Sequence, residues 1–231
     1  MKIEQITLKP IKVAVLIPSC IKEHRENCLK SLAYTKLSSN VVMDVFVLDN
    51  DYEGFAKTVN KGIQYAKGYD YIAILNDDIV VCQEWLEVLI NGFIFAKMNN
   101  LNVAIVTDRA GYKGTHVLFF CALIKAEIFN VVGILDERFH PAYVEDVDFS
   151  LRCTDAGYTF LASPHNLCLH KVQGTFGANP EKDALIAKNW ERFAEKWKGT
   201  KHEHFKRDDD IKYAKLVEEY NRQQKLQGEK L

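Results

Sequence analysis

The sequence lacks both the long apolar run and the excess of one charge that would mark several classes of protein. No apolar run approaches the length that spans a membrane, and the N-terminal segment MKIEQITLKPIK has no signal-peptide core. The formal net charge is −1, which gives no general electrostatic reason to bind nucleic acid. We therefore expect a cytoplasmic protein with no transmembrane segment and no nucleic-acid partner.

Closely spaced cysteine pairs are also missing. The six cysteines are scattered, and no two of them have the Cys-x-x-Cys spacing that is typical of zinc and redox sites. This distribution favours buried, reduced thiols over a disulfide framework. The content of hydrophobic residues is 48% and that of charged residues is 26%, which is an ordinary globular composition over 231 residues.

Apolar runs and amphipathic segments alternate in the first half of the chain. Runs such as VAVLI, at positions 13–17, are continuously apolar and are typical of parallel strands buried on both faces. The alternation predicts an α/β fold, with a mostly parallel sheet flanked by helices. The predicted strands are 13–17, 41–48, 71–75 and 102–106, and the predicted helices are 22–34, 54–68 and 84–98.

The regular alternation stops after position 107. A glycine-containing loop is predicted at 108–115, and a polar, amphipathic helix at 208–225 forms a C-terminal extension. We expect this last helix to pack on the surface or against a partner. Between them the predicted strands are 116–122, 158–162 and 166–170, and the predicted helices are 125–132, 143–156 and 181–197.

A polar triplet, Asn76-Asp77-Asp78, follows the apolar strand 71–75 directly. Two adjacent carboxylates at the end of a buried strand repel each other, and partial burial raises that cost. A divalent cation would relieve it, because hard cations bind carboxylate oxygens. The carboxyl ends of strands are also where ligands bind in open α/β sheets. The alternative is a strand-to-helix turn with Asp78 close to a helix N-terminus.

Two further acidic groups follow the same logic. Asp49 follows the second predicted strand and could accept a hydrogen bond from a nucleobase or ribose, although an Asx-turn or a helix cap would also explain it. Glu145, Asp146 and Asp148 begin a predicted helix, where carboxylates are stabilised by the helix dipole. An acid held close to a reacting hydroxyl could instead serve as a general base.

The order of these groups resembles glycosyltransferase family 2, the inverting enzymes of the GT-A fold, and in particular its rhamnosyltransferase-like members. The long block from Gly133 through Asp136-Glu137 and the segment EDVDF.LR to Gly157-Tyr158 is the most specific match. Gly54-Phe55-Ala56 with Asn60 and Gly62, the LNDD segment at 75–78, His170 followed by Gly174-Thr175, and the closing Lys196-Trp197 also resemble the family. The triplet departs from the pattern by beginning with asparagine, and Glu53 stands where asparagine is common.

The resemblance implies a role for each of these positions. It implies that Mn²⁺ or Mg²⁺ is bound by Asp78 and His170, with His165 as a competing ligand. It implies that Asp146 is the general base, with Glu145 beside it and Asp148 as the second choice. The residues that it implies for binding a nucleotide-diphosphate sugar are Pro18, Ser19, Asp49, Asn60, Asn76 and Asp77.

The implied activity is metal-dependent transfer of a hexosyl group, with inversion, to a hydroxyl of a glycan, glycolipid or protein glycan, as in polysaccharide biosynthesis. A GT-A domain would occupy 1–198, with a nucleotide-binding half at 11–107 and an acceptor and catalytic half at 108–198. The tail 199–231 has no counterpart in the family. We expect it to contact an acceptor, a membrane surface or, through its helix, a second subunit.

Two other functions compete with this interpretation. A nucleotidyltransferase also uses metal-bound acids on a doubly wound sheet, but it should carry a glycine-rich basic loop after its first strand. The segment Pro18-Ser19-Cys20-Ile21-Lys22 has no such run of glycines. A non-catalytic module that binds nucleotide sugars is the second alternative, and the presence of all three acidic groups argues against it.

Overall fold

The computed structural model describes residues 9–110, 115–170, 181–203 and 205. The predicted C-terminal helix at 208–225, Gly174 and Thr175 lie outside the described residues, as does part of the predicted loop at 108–115. The elements are β1 Ile11–Ser19, α1 Lys22–Leu32, β2 Val41–Asp49, α2 Phe55–Tyr65, β3 Tyr71–Leu75, β4 Ile79–Val81, α3 Trp85–Met98, β5 Val103–Thr107, β6 Cys121–Lys125, α4 Ile128–Val131, α5 Glu145–Asp155, β7 Thr159–Ala162, β8 Cys168–His170 and α6 Lys182–Trp197.

The main sheet has six strands in the order β2-β1-β3-β6-β5-β7. The pairs β1–β2, β1–β3 and β5–β7 are parallel, and β6 runs antiparallel to both of its neighbours. Strands β4 and β8 form a separate two-stranded antiparallel ladder. The predicted α/β fold with a mainly parallel sheet flanked by helices is confirmed.

A hydrophobic core lies on each face of the sheet. Along β1 the side chains alternate between them: Val13, Val15 and Ile17 belong to the core with α1 and α3, and Ala14 and Leu16 to the core with α2 and α5. This two-sided burial explains why the strand is continuously apolar. A third, smaller cluster joins α5 to α6 through residues that include Val147, Phe193 and Trp197.

The irregular middle of the chain is where the predicted elements are wrong. The apolar stretch 116–122 is a strand only from Cys121 onwards, because Phe119 and Phe120 are buried in different cores without joining the sheet. The predicted helix 125–132 begins too early, since Lys125 ends β6 and the helix there is limited to Ile128–Val131.

None of the helices in the described ranges combines the length and the apolar character that a membrane crossing requires.

Candidate active site

The C-terminal ends of three neighbouring strands meet at one edge of the sheet. Strand β1 lies between β2 and β3, and Ser19 at its end pairs with Asp49 at the end of β2. On the other side, Leu16 of β1 pairs with Ile74, two residues before Asn76. Most of the predicted nucleotide-binding residues therefore lie along the same edge, at the ends of these strands or directly after them. They are Pro18, Ser19, Asp49, Asn76 and Asp77.

Asp78 and His170 are brought together by the small ladder. Asp78 directly precedes β4, and His170 ends β8 opposite Ile79. The His170 Nε2 and Asp78 Oδ1 atoms are 3.2 Å apart, and the Asp78 side chain is only 9% exposed. The triplet thus leads into a short strand, and not into the helix N-terminus of the alternative interpretation.

These two side chains fit a divalent cation. Asp78 Oδ1 is buried and accepts no hydrogen bond within the described part of the chain, so a lone pair of a carboxylate is left without its usual partner. The imidazole nitrogen beside it supplies a second ligand atom. Residues 9–110, 115–170, 181–203 and 205 contain no group of three or more His, Cys, Asp or Glu side chains arranged for a metal. A cation here would take its other ligands from substrate and water.

The predicted alternative ligand, His165, occupies a different position. It is exposed in the turn before β8, and its backbone N–H donates a hydrogen bond to the Ser163 hydroxyl. The structure therefore pairs His170 with Asp78.

A shallow depression beside Asp78 contains His24, a residue that the sequence analysis did not single out. It is lined by His24 and Asn27 of α1 and by residues 77–80. Nδ1 of His24 is buried, and within the described residues it has no hydrogen-bond partner. Burial raises the pKa of Asp77, and the nearby Ser19 hydroxyl partly offsets this. His24 belongs to none of the predicted motifs, and it lies beside Asp78 because α1 packs close to β4.

Glu145 and Asp146, at the start of α5, form the predicted catalytic pair. Glu145 is 5% exposed, and Oε2 has no hydrogen bond among the described residues. Burial, followed by the charges of Asp146 and Asp148, raises the pKa of Glu145 well above its ordinary value. Asp146 is half-buried, and its Oδ1 accepts a hydrogen bond from the Val147 N–H at 2.8 Å. The two carboxyl groups therefore have different environments.

Asp148, the second choice as base, is engaged elsewhere. It is fully buried, and its Oδ2 accepts a hydrogen bond from Arg152 Nε at 2.9 Å. Its Oδ1 accepts from Trp197 Nε1 at 3.1 Å and lies 2.6 Å from Lys196 Nζ. With both oxygens occupied, Asp148 is corrected from a candidate base to an anchor between α5 and α6.

Tyr143 lies within electrostatic reach of both the acid pair and the cation site. Burial raises the pKa of this phenol to about 12, and the carboxyl groups of Glu145 and Asp78 add to that shift.

The loop before α5 is strained and is held from two sides. Tyr143 and Val144 have φ angles of 77° and 78°, which is unfavourable for bulky and β-branched residues. Asn189 of α6 donates hydrogen bonds to the carbonyl oxygens of Ala142, at 2.8 Å, and Tyr143, at 3.2 Å. From the other side, the Phe55 N–H at the start of α2 donates a hydrogen bond to the Pro141 carbonyl oxygen. These bonds fix where α5 begins, and hence where its acids lie.

Asn60 does not belong to the nucleotide-binding set. Its side chain is buried in α2, where Nδ2 donates to the Leu135 carbonyl and to Glu137 Oε1, both at 2.9 Å. Its Oδ1 accepts a hydrogen bond from the Leu135 N–H. The Asn60 amide joins α2 to the turn at 135–137, and its hydrogen-bonding atoms are already in use. For this reason we correct its predicted role from nucleotide binding to a structural contact.

Asp49 reaches the sheet edge with one oxygen engaged. Its side chain is 75% exposed, and Oδ1 lies 2.9 Å from Arg25 Nη1 of α1. The sequence did not single out Arg25, because nothing in its spacing predicts this pair.

A model of one known protein family matches part of this chain. Residues 36–131 match the model of the family described as "Glycosyl transferase family 2". An uncharacterized protein of Sinorhizobium fredii, y4gI, is 25% identical over 177 aligned residues. That match covers 60% of this chain and 19% of the relative, so the chain spans about a fifth of the relative's length.

Solved structures of low identity share the fold. A Drosophila β1,4-galactosyltransferase 7 mutant in complex with manganese, UDP-Gal and xylobiose has a TM-score of 0.55 at 18% identity, covering 76% of this chain and 79% of that one. A mannosyltransferase from Pyrobaculum calidifontis, in complex with GDP-Man and Mn²⁺, has a TM-score of 0.61 at 13% identity. The match covers 82% of this chain and 65% of the mannosyltransferase chain. The predicted GT-A type fold is thereby confirmed, and residues 36–131 are similar to glycosyltransferase family 2 as the sequence predicted.

Proposed function

We propose that this chain transfers a hexosyl group from a nucleoside-diphosphate sugar to a hydroxyl of a glycan or lipid-linked acceptor, with inversion at the sugar carbon. The observation that carries the proposal is the 3.2 Å approach of His170 Nε2 to the orphaned Asp78 Oδ1, at the ligand-binding edge of the sheet. Similar folds hold UDP-Gal, GDP-Man and UDP-GlcNAc, which supports a nucleotide sugar as the donor.

The donor would lie along the ends of β1, β2 and β3. Asp49 Oδ2 would accept a hydrogen bond from the base or the ribose, while Arg25 holds Oδ1. Pro18, Ser19, Asn76 and Asp77 would border the nucleotide at the same edge. Donor binding would then belong to residues 11–107, and acceptor binding and catalysis would belong to residues 108–198.

Asp78 and His170 would hold a divalent cation, which when bound supplies positive charge to the leaving diphosphate as a Lewis acid. An imidazole nitrogen beside a carboxylate suits a transition-metal ion such as Mn²⁺ better than Mg²⁺, which prefers oxygen ligands.

Asp146 would act as the base. Its carboxylate takes the proton of the acceptor hydroxyl as that oxygen forms a bond to the anomeric carbon of the sugar. The bond from this carbon to the diphosphate oxygen breaks, and its electron pair leaves with the nucleoside diphosphate. One direct displacement of this kind inverts the anomeric centre.

Glu145 would support this role by remaining neutral. Burial and the neighbouring Asp146 both oppose a second charge, and so they raise the pKa of Glu145. Two adjacent carboxyl groups with pKa values driven apart can divide the acid and base functions. The negative charge would then reside on Asp146.

The test is a donor screen with the purified protein, in which UDP-, GDP- and dTDP-sugars are titrated by calorimetry with Mn²⁺ or with EDTA. We expect one donor to bind in a Mn²⁺-dependent way and to be hydrolysed slowly. Asp78→Ala should weaken that binding by about tenfold or more, because a direct ligand of the cation is lost. Asp44→Ala, an exposed carboxylate on β2, is the matched control. Equal donor affinity with Mn²⁺ and with EDTA would contradict the cation site.

The same screen separates the competing functions. Binding of a donor with neither hydrolysis nor transfer to any acceptor would support a non-catalytic module. Formation of pyrophosphate from a nucleoside triphosphate and a sugar phosphate would instead support a nucleotidyltransferase. A cytoplasmic location belongs to the proposal as well, and is supported by six cysteines that all remain free thiols.

A further inference from the structure

We propose that Phe120 is a positioning residue for the cation site, whose ring holds the His170 imidazole beside Asp78. The inference rests on the proposed function, because it concerns the same pair of ligands. Phe120 lies in the irregular segment before β6, and no part of the motif pattern includes it. It contacts the site through both its side chain and its backbone.

The Phe120 ring stacks on the imidazole. The centroids of the Phe120 and His170 rings are 4.8 Å apart, and the planes are 17° from parallel. Phe120 is only 8% exposed, so the surrounding core limits the freedom of its ring. A flat surface against one face of the imidazole restricts rotation of that ring about its χ2 bond.

The backbone of Phe120 supports the second ligand. Its carbonyl oxygen accepts a hydrogen bond from the Asn76 N–H at 3.0 Å, two residues before Asp78. Asp78 and His170 are 92 positions apart in the sequence, and Phe120 contacts the segments that carry both of them. Movement of Phe120 would therefore alter the separation of the two ligand atoms.

The usual device for orienting a histidine ligand is missing in the described part of the chain. A metal-binding histidine normally donates its other ring N–H to a carboxylate or carbonyl, which fixes the orientation of the ring. No residue in the described ranges forms a hydrogen bond with His170 Nδ1, and the contact recorded for Nε2 is the one to Asp78. Among the described residues, the contact that orients the imidazole is the ring stacking with Phe120.

Phe120 is itself held from the β8 side. The guanidinium carbon of Arg109 lies 5.9 Å from the centre of the Phe120 ring. Arg109 Nη2 donates to Asn166 Oδ1 at 3.2 Å, and its Nε lies 3.4 Å from Asp108 Oδ2. Asp108 Oδ1 in turn accepts a hydrogen bond from the Leu167 N–H, next to the start of β8. The ring and the strand that ends at His170 are thus fixed to one another.

The experiment compares three variants in the full chain, using Mn²⁺ alone as the probe. Phe120→Leu keeps an apolar side chain but removes the flat ring, and Phe120→Tyr restores the ring. Phe119→Leu is the matched control, since Phe119 is equally buried but packs against Phe149 in the other core. Free Mn²⁺ is measured by electron paramagnetic resonance, and broadening of the His170 ring signals is followed by NMR.

We expect Phe120→Leu to raise the Kd for Mn²⁺ by about 10- to 100-fold, the usual effect of losing a residue that orients a ligand. Phe120→Tyr and Phe119→Leu should stay within about twofold of the parent protein. Equal affinities in Phe120→Leu and Phe119→Leu would overturn the inference while leaving the proposed function intact. Absence of saturable Mn²⁺ binding by the parent protein would overturn both.

A measurement on the unaltered protein covers the case in which Phe120→Leu does not fold. A ring stacked at 4.8 Å shifts the His170 ring-proton resonances upfield through its ring current. Metal-free protein should show that shift, and His170 ring signals at ordinary positions would overturn the stacking on which the inference depends.

Discussion

At the scale of single residues, consecutive positions can have opposite chemistry. Glu145 is buried with an unpaired oxygen, whereas Asp146 is half-buried and accepts a backbone hydrogen bond. Because α5 turns by about 100° per residue, neighbouring side chains face different surroundings. The position of a carboxyl group on the first turn of this helix therefore decides whether it can carry charge.

Replacing Asp146 by asparagine tests the base directly. We expect Asp146→Asn to lower the rate of transfer by about 10²-fold or more, because the amide cannot accept the hydroxyl proton. Donor affinity measured by calorimetry should stay close to that of the parent protein. Asp155→Asn, at the far end of the same helix, is the control and should retain activity. Unchanged turnover in Asp146→Asn would remove that residue from the role.

The raised pKa of Glu145 predicts a pH-dependent stability. Because the folded-state pKa lies above the ordinary 4.5, the contribution of this residue is fully present below pH 4.5 and is lost as the pH rises towards the folded value. The free energy of unfolding of the parent protein should therefore fall relative to that of Glu145→Gln, by at most about 1.4 kcal/mol per pH unit. Urea titrations from pH 4 to pH 7 measure this difference, and a constant difference would contradict it.

At the scale of secondary-structure elements, α6 determines the geometry of a loop that it does not belong to. Asn189 is completely buried and bonds the backbone at 142 and 143, directly before α5. Tyr143 and the next residue, Val144, have left-handed backbone angles, which persist only where neighbouring contacts hold them. The helix thereby stabilises a conformation that the loop sequence disfavours.

Asn189→Ala should destabilise the protein by about 1–3 kcal/mol, since the partly buried carbonyl groups of Ala142 and Tyr143 lose their donor. The rate of transfer should also fall, because the start of α5 is no longer fixed. Asn91→Ala, an exposed asparagine in the middle of α3, should change the free energy of unfolding by less than about 0.5 kcal/mol. Chemical denaturation measures the free energy of unfolding of both variants. Similar losses of stability in Asn189→Ala and Asn91→Ala would argue that Asn189 does not stabilise the loop before α5.

The elements that sequence predicts well are those in which one local pattern determines the structure. Strand β3 runs from Tyr71 to Leu75 as predicted, because an apolar run bounded by polar residues leaves few alternatives. The stretch 116–122 has a similar composition, yet only Cys121 and Ala122 join a strand. Its other apolar residues fill space between elements that are distant in sequence, and no local pattern reports that packing.

The same limit applies to the candidate site. Asp78 and His170 could be named because the resemblance fixes their places, and the structure does bring them together. Asn60 fits the same motif, but its hydrogen bonds serve the turn at 135–137. Arg25, His24 and Phe120 could not be predicted, because their roles depend on how α1 and the segment before β6 pack against the sheet edge.

At the scale of the whole molecule, a charge network centred on the buried Asp148 ties α6 to α5. Asp148 of α5 contacts Arg152 of its own helix and Lys196 and Trp197 of α6. Arg152 also donates to the carbonyl oxygens of Val132 and Ile134, and thereby includes the turn after α4. Removing one member of such a network leaves other buried charges uncompensated.

Asp148→Asn should therefore lower the free energy of unfolding by about 3–5 kcal/mol. Asp155→Asn provides the comparison, because Asp155 is a 37% exposed carboxylate on the same helix that pairs with Lys201 and His202. Loss of these partly exposed contacts should cost about 1 kcal/mol or less. Urea denaturation gives both values, and a cost for Asp148→Asn as small as that of the surface variant would show that the network contributes little.

The dependence of the acid pair on α6 has a consequence for biosynthesis. Residues 182–197 are translated after every other element of the described fold, yet they fix the loop that orients Glu145 and Asp146. On the ribosome, a nascent chain can form β1 to β3 early, whereas contacts between distant segments must wait. The sheet edge formed by the ends of β1, β2 and β3 is thus assembled first, and the loop before α5 takes up its fixed conformation only after Trp197 has emerged from the exit tunnel.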